Sequence, residues 1–314
     1  MPVLIAAALS IGAATAAHAH PGPDGHAMMM RMPPLKSHLA SDTVSVPMNL
    51  VDGRIVLAAT INGQGPFPFV FDTGASGSVM DLAFAREQGI ALGGEVMVGS
   101  PGGGGRPGHI ATIDSVGIGG LSITGLTCVA FEGLPFKGAN PPRGVIGPYG
   151  LAGLLVTLDY PHQRLVFTRG ALPEPDQREI FGWTESQPLP RIPVTVAGQQ
   201  LDVHLDSGAM HGLSLSTAYA KTLPLASALV AAGHARTVDQ DVPAQRATVQ
   251  GTFTIGRYSL SNPTVYFSDV HQEIGNLGPV LLRQFALTID PANRRLKLAG
   301  PASGKLVDVE PPAK

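Results

Sequence analysis

The sequence predicts an all-β protein built as two similar β-barrel-like lobes related by a pseudo-twofold, with short helices only. Composition supplies two observations for this. Gly 39 and Pro 28 together make 67 of the 314 residues, about a fifth of the chain against an ordinary ~12 per cent, which favours many strands joined by turns. Charged residues are 14%, against an ordinary ~25 per cent, too few for long solvated helices. The third observation is an internal repeat, and at ~100–200 residues per domain the chain has room for two copies.

The repeat appears when Gly147 is laid on Gly278, an offset of 131 residues. Gly147-Pro148-x-x-Leu151 then matches Gly278-Pro279-x-x-Leu282, Thr157 matches Thr288, Asp159 matches Asp290, and Arg164-Leu165 matches Arg295-Leu296, seven identities in twenty ungapped columns. Further back, Ile118-Gly119 pairs with Ile255-Gly256, and Phe69-Val70-Phe71 before Asp72 pairs with Val203-His204-Leu205 before Asp206. Both copies carry a short helix signal: Asp81 ahead of LAFAREQ with Gly89 as stop, and Ser216 ahead of TAYAKTL with Pro224 as stop. Each half therefore reads as strand, loop, short helix, several strands and a closing hairpin.

Around this duplication the other segments fall into place. Residues 1–19 read as an export signal: the run from Val3 to Ala17 is apolar, too short to span a bilayer comfortably, and ends in the small-x-small pattern Ala17-His18-Ala19. No Lys or Arg precedes the run, so an uncleaved anchor is the alternative. Cleavage implies an exported chain, periplasmic or extracellular, with no stable membrane insertion. Residues 20–42 form a His/Met-rich lead-in that reads as disordered; His20, His26, Met28, Met29, Met30 and Met32 also offer soft ligands suited to copper, a competing reading. The first lobe is expected over 43–168, a Pro-rich linker over 169–188, the second lobe over 189–301, and a disordered tail over 302–314. Prolines 173, 175, 188, 190 and 193 keep the connection out of any central strand.

Charge and cysteine content exclude several functions. With 21 basic and 23 acidic residues the formal charge is −2, so the excess of cations that nucleic-acid binding needs is missing. The single cysteine, Cys128, can form neither an internal disulfide nor a Cys-based zinc site, and it reads as a buried strand residue. There is no GxSxG elbow, HExxH or CxxC.

The chemistry is expected at Asp72-Thr73-Gly74-Ala75-Ser76 and Asp206-Ser207-Gly208-Ala209-Met210, whose aspartates stand 134 residues apart. Each motif puts a carboxylate, a hydroxyl and a glycine at the abrupt end of an apolar strand. A carboxylate buried there is costly unless something uses it, and the glycine permits close backbone approach or a positive φ. These residues resemble the active-site strands of aspartic proteases, and the resemblance covers most of the chain after residue 19. Val145-Ile146-Gly147 and Asn276-Leu277-Gly278 are similar to the family's apolar-apolar-Gly element, with Asn276 a departure from the pattern. Alanine in the fourth motif position resembles the retropepsin branch, and two copies in one chain resemble the bilobal, pepsin-type arrangement, which implies a monomer.

The resemblance implies an endopeptidase acting on an extended peptide or protein substrate. Asp72 and Asp206 would share one proton and activate water between them, with no metal, cofactor or covalent intermediate. It further implies that Thr73 and Ser207 brace the two loops and that Gly74 and Gly208 offer N–H groups to the carboxylates. A flap is expected at Gly102, Gly103, Gly104 and Gly105, in the first lobe only, because no glycine run follows Asp206. The flap tyrosine typical of pepsins is missing between Ser76 and Pro148. With Met210 standing where the first motif has Ser76, a catalytically weak or inactive protein that binds peptides in the same bilobal cleft is the alternative. Gly103-x-Gly105-x-x-Gly108 matches a dinucleotide fingerprint, but a strand rather than a helix is expected after it, which argues against that use. His204 and His211 read as structural or solvent-facing, and Asp159 and Asp290 as caps of the closing hairpin turns.

Overall fold

A computed structural model describes residues 10–13, 35–100, 103–151, 153–270 and 274–308. Three sheets organise them: one of ten strands and one of nine form the lobes, and one of six strands joins them. The lobes are wired alike. In the first, Gln64–Phe71 runs parallel to Gly144–Ile146, which is antiparallel to Ser78–Asp81, which is parallel to Leu121–Phe131. In the second, Gln199–Leu205 runs parallel to Gly275–Leu277, then Leu213–Leu215 follows antiparallel, then Thr264–Phe267 parallel. The sequence repeat is thus a repeat of strand pairing. Alternation drives it locally, as in Arg54–Ile61, where the even-spaced Ile55, Leu57, Ala59 and Ile61 are buried.

The six-stranded sheet is where the copies meet. The closing hairpins Leu154–Asp159/Arg164–Arg169 and Ala286–Asp290/Arg295–Ala299 pair edge to edge, with Thr157 opposite its own repeat partner Thr288 and their hydroxyls 2.9 Å apart. Residues that match by sequence and touch in space mark a pseudo-twofold axis. Thr43–Pro47 and Ile180–Gly182 close the sheet's two edges, the latter from the proline-rich connection; of the prolines expected to stay out of central strands, Pro193 lies inside one, Ile192–Val196, opposite Asp202 in the nine-stranded sheet. Phe71 packs edge-on against Phe167, tying the strand that leads to Asp72 to this shared sheet.

Asp81 caps the helix Leu82–Glu87 by accepting from Phe84 N at 2.9 Å, and Gly89 follows at φ +63. Its counterpart Thr217–Lys221, capped by Ser216, is a 3-10 helix instead of an α-helix. With Pro224 just beyond, there is no room for a second α turn. Asp290 caps its hairpin turn through Asn293 N and also holds Leu172 N of the connection, while Asp159 pairs with His162 and Arg164. Cys128 is buried on Leu121–Phe131, and burial pushes its thiol up to about 12.

Two segments expected to be disordered are partly ordered. Lys36–Leu39 pairs with Leu121–Thr124, burying Leu39, and residues 301–308 dock on the second lobe with Leu306 N bonded to Ser259 O and Leu306 buried. Composition misled because a single apolar anchor in a polar stretch suffices where an edge is free to bond it. Ser10–Ala13, inside the expected leader, lies along Ala91–Gly99. The His/Met tract and Gly102 lie outside the described residues. Among the described residues, no helix is long and apolar enough to cross a membrane.

Candidate active site

Both motifs begin where a parallel strand ends. Asp72 N bonds Ile146 O at 3.1 Å and Asp206 N bonds Leu277 O at 2.9 Å, so each aspartate is hooked to the strand beside it before the chain turns away. The turns meet on the pseudo-twofold. Thr73 Oγ1 donates to Leu205 O at 2.7 Å and accepts from Ser207 N at 3.0 Å; Ser207 Oγ donates to Phe71 O at 3.2 Å and accepts from Thr73 N at 3.0 Å. Four reciprocal bonds between elements more than 130 residues apart lock the loops in one geometry.

This lacing forces the carboxyl groups of Asp72 and Asp206 together, 1% and 2% exposed and hydrogen-bonded to one another. Gly74 N donates to Asp72 Oδ1 at 2.8 Å; Gly208 N donates to Asp206 Oδ1 at 2.8 Å and also to Asp72 Oδ1 at 3.0 Å. The glycines are there for close approach, not for a positive φ. A Cβ on Gly74 would stand 2.5 Å from Asp206 Cγ, and one on Gly208 would stand 2.3 Å from Asp72 Oδ2. Burial, then the neighbouring Asp206 charge, holds Asp72 well above the ordinary carboxylate range. Burial raises Asp206 too, opposed by its donors. Two such groups with one proton between them can give and take protons at once.

Three neighbours of the pair escaped the sequence reading. Asn276 Nδ2 donates to Asp206 Oδ2 at 2.7 Å, and its only signal was a polar residue in an apolar column. Tyr149 OH donates to Thr73 O at 2.8 Å and packs edge-on against Trp183 of the connection. Arg54 lies close enough for its charge to be felt by Asp72 and Asp206, and burial depresses its pKa. His204 bonds Pro190 O at 2.8 Å, as expected of a structural histidine; His211 stacks on Tyr266 at 3.6 Å, but both its ring nitrogens are buried without a hydrogen-bond partner among the described residues, so it is neither satisfied nor solvent-facing.

The expected flap glycines Gly103, Gly104 and Gly105 lie in the loop joining Ala91–Gly99 to Arg106–Ile118, an antiparallel hairpin, so the fingerprint they resemble is followed by a strand. The second lobe also has such a hairpin, Val230–Arg236 with Asp241–Thr248, which corrects the expectation of a single flap. Its tip carries a carboxylate where the first carries glycines. Asp239 Oδ1 accepts from Ser100 N at 3.2 Å and from Ser100 Oγ at 2.5 Å, and Asp239 Oδ2 accepts from Gly105 N at 2.8 Å. A Cβ on Gly103 would come within 2.1 Å of Asp239 Oδ2, so glycine makes room for this contact. Val98 and Val238, one from each hairpin, share an apolar cluster with Val70, Ala75 and Val145 beside the first motif. Among the described residues, no group of three or more His, Cys, Asp or Glu side chains could hold a metal.

Known proteins resemble this chain in fold and in family. A sequence search of curated proteins finds no match. A crystal structure of an aspartic proteinase from Irpex lacteus superposes with a TM-score of 0.54 at 17% identity, covering 83% of this chain and 98% of that one, a likeness of fold. The aspartyl protease family model matches twice, over residues 57–148 and 192–283, one match per lobe and together more than half of the chain. The chain therefore belongs to the aspartyl protease family.

Proposed function

We propose that the protein is an exported endopeptidase that cleaves an extended polypeptide with water activated between Asp72 and Asp206. The observation that carries this reading is the four-bond lacing of Thr73 and Ser207 around two buried, mutually hydrogen-bonded carboxyls. Burying two carboxyls side by side works against folding unless they share a proton, and a shared proton is what the reaction uses. The ionised carboxyl takes a proton from water as its oxygen bonds the peptide carbonyl carbon. The protonated carboxyl gives its proton to the carbonyl oxygen, forming a neutral gem-diol. On collapse the C–N bond breaks, the first carboxyl passes its proton to the leaving nitrogen, and the second regains one from a diol hydroxyl. Protons balance, and the pair ends as it began.

The closed hairpins bear on substrate form. A chain threaded beneath two β-hairpins can add strand-like hydrogen bonds to both only when extended. Export is supported by the apolar run Val3–Ala17 and the Ala17-His18-Ala19 pattern. The test is cleavage of a mixed peptide pool by the purified protein between pH 3 and 8. Asp72→Asn and Asp206→Asn should each lower kcat/KM by at least ~10³-fold, since a two-group relay fails when either is removed. Full activity in both variants, or peptide binding with no cleavage at any pH, would sink the reading.

A further inference from the structure

The donors around the carboxyl pair are unequal, although the loops carrying it are nearly symmetric. Asp72 receives Gly74 N and a share of Gly208 N, both on Oδ1, and its carboxyl meets the other one. Asp206 receives Gly208 N at 2.8 Å and Ala209 N at 2.9 Å on Oδ1, and Asn276 Nδ2 at 2.7 Å on Oδ2. Both oxygens of Asp206 are therefore supplied with donors. Asn276 sits on the three-residue strand Gly275–Leu277, opposite His204, and is buried. Its repeat partner on Gly144–Ile146 is Val145, which has no donor to offer. A hydrogen bond to an ionised acceptor is worth roughly twice one to a neutral acceptor, so a donor on one carboxyl alone decides which of the two is ionised.

We propose that Asn276 is a positioning residue that keeps the shared proton on Asp72, making Asp206 the base that activates water and Asp72 the acid that protonates the carbonyl oxygen. The assignment rests on the proteolytic reading for its roles but not for the proton's place. The amide's orientation follows from its neighbours. With its oxygen toward Asp206, Asn276 would need a proton on a carboxyl that already accepts two backbone N–H bonds. The higher pKa direction at Asp72 agrees. Other charged and titratable groups facing the pair are Arg54, itself beside Asp52 at the first-lobe turn, and Tyr149 and Tyr160 near the first closing hairpin, with Arg283 reaching Tyr160. Replacing Asn276 changes none of these residues.

Proton placement is readable without turnover. In the full-length wild type labelled with ¹³C at aspartate carboxyls, the resonance missing from Asp206→Asn should carry most of the change in the pair's first proton loss, and that missing from Asp72→Asn most of the second. The reverse order overturns the proposal whether or not the protein cleaves peptides. For activity, Asn276→Leu removes the donor at nearly equal size, and Asn276→Val copies the first lobe. Either should move the acid limb of the kcat/KM profile up by ~1 pH unit, with KM changed less than about threefold and kcat at the optimum lowered ~10-fold. An unshifted acid limb in an active variant overturns the role of Asn276. Loss of the wild type's own activity would instead count against the proteolytic reading.

Discussion

Where the first lobe carries Gly77 and Ala130, the second carries His211 and Tyr266, stacked at 3.6 Å, and where the first carries Val145 the second carries Asn276. The strands beside Gly77 and His211 pair identically with those that hold Ala130 and Tyr266: Ala130 lies opposite Met80, and Tyr266 opposite Ser214. Two small residues in one copy thus stand where the other copy has a stacked pair of rings. The backbone lacing at Thr73 and Ser207 has stayed symmetric while the side chains around it have diverged. The copies are held equal where two loops must interlock, and differ where one chain can assign each lobe its own task.

The symmetric part predicts the largest effects. Gly74→Ala and Gly208→Ala each put a methyl group within 2.5 Å of the opposite carboxyl, where only backbone movement can relieve the clash. Each should destabilise the protein by ~1–3 kcal/mol through overpacking and cost more than ~100-fold in kcat/KM by separating the carboxyls. Gly208→Ala should be the worse, because Gly208 N serves both aspartates. Denaturant unfolding together with peptidase rates checks both. A well-tolerated alanine at either position would break the claim that the close approach is symmetric and obligatory.

How much was legible in the sequence follows the same division. The lobes, the repeat register, Asp72, Asp206 and the Asp81 cap could be read because each is written in a local pattern or in two aligned copies. Asn276 was visible only as a blemish in an apolar column, since nothing local says that the strand Gly275–Leu277 turns that position toward Asp206. Asp239 was illegible because its partner Ser100 is 139 residues away and the second hairpin has no glycine run to announce it. The bond from Tyr149 to Thr73 likewise spans the fold. Local chemistry can be read from spacing; contacts across a pseudo-twofold need the pairing of both lobes.

The diverged part predicts opposing pH effects on stability. Asp72 has a folded pKa well above its ordinary 3.8, so the folded state holds a proton that the unfolded chain loses first, and stability falls as pH rises from about that value toward the folded one. His211 is the reverse. Burial and the Arg246 charge lower it from 6.5 to about 4, so stability falls as pH drops through that window. The slopes oppose, with Asp206, also raised by burial, adding to that of Asp72. His211→Phe keeps a ring on Tyr266 and should uncover a decline with rising pH. Asp72→Asn should uncover a decline with falling pH, on the order of 2 kcal/mol after allowing for the partial exposure of His211. Unfolding free energies across that range check this, and parallel curves for all three proteins would contradict it.

The smallest effect is expected at the hairpin tips, where the lobes differ most in composition. Asp239 is the second lobe's carboxylate in a contact that the first lobe makes with Ser100 and Gly105, joined by Gln240 Nε2 on Ser100 Oγ at 2.7 Å and by Thr237 Oγ1, 2.9 Å from Ser100 Oγ. The network is part-buried and near the surface, so Asp239→Ala should change global stability by less than ~1 kcal/mol. The local consequence is larger than the global one. Opening of the tips breaks these bonds and the Val98 and Val238 packing, so removing the carboxylate should raise amide exchange at Gly105 about tenfold or more, with the exchange of Ile146 and Leu277 unchanged. Asp239→Asn, which can still accept from Ser100, should recover part of that protection. If Gly105 exchanges equally fast in all three proteins, the tips are held without the carboxylate, and the divergence between a glycine run and a carboxylate has no bearing on how the cleft opens.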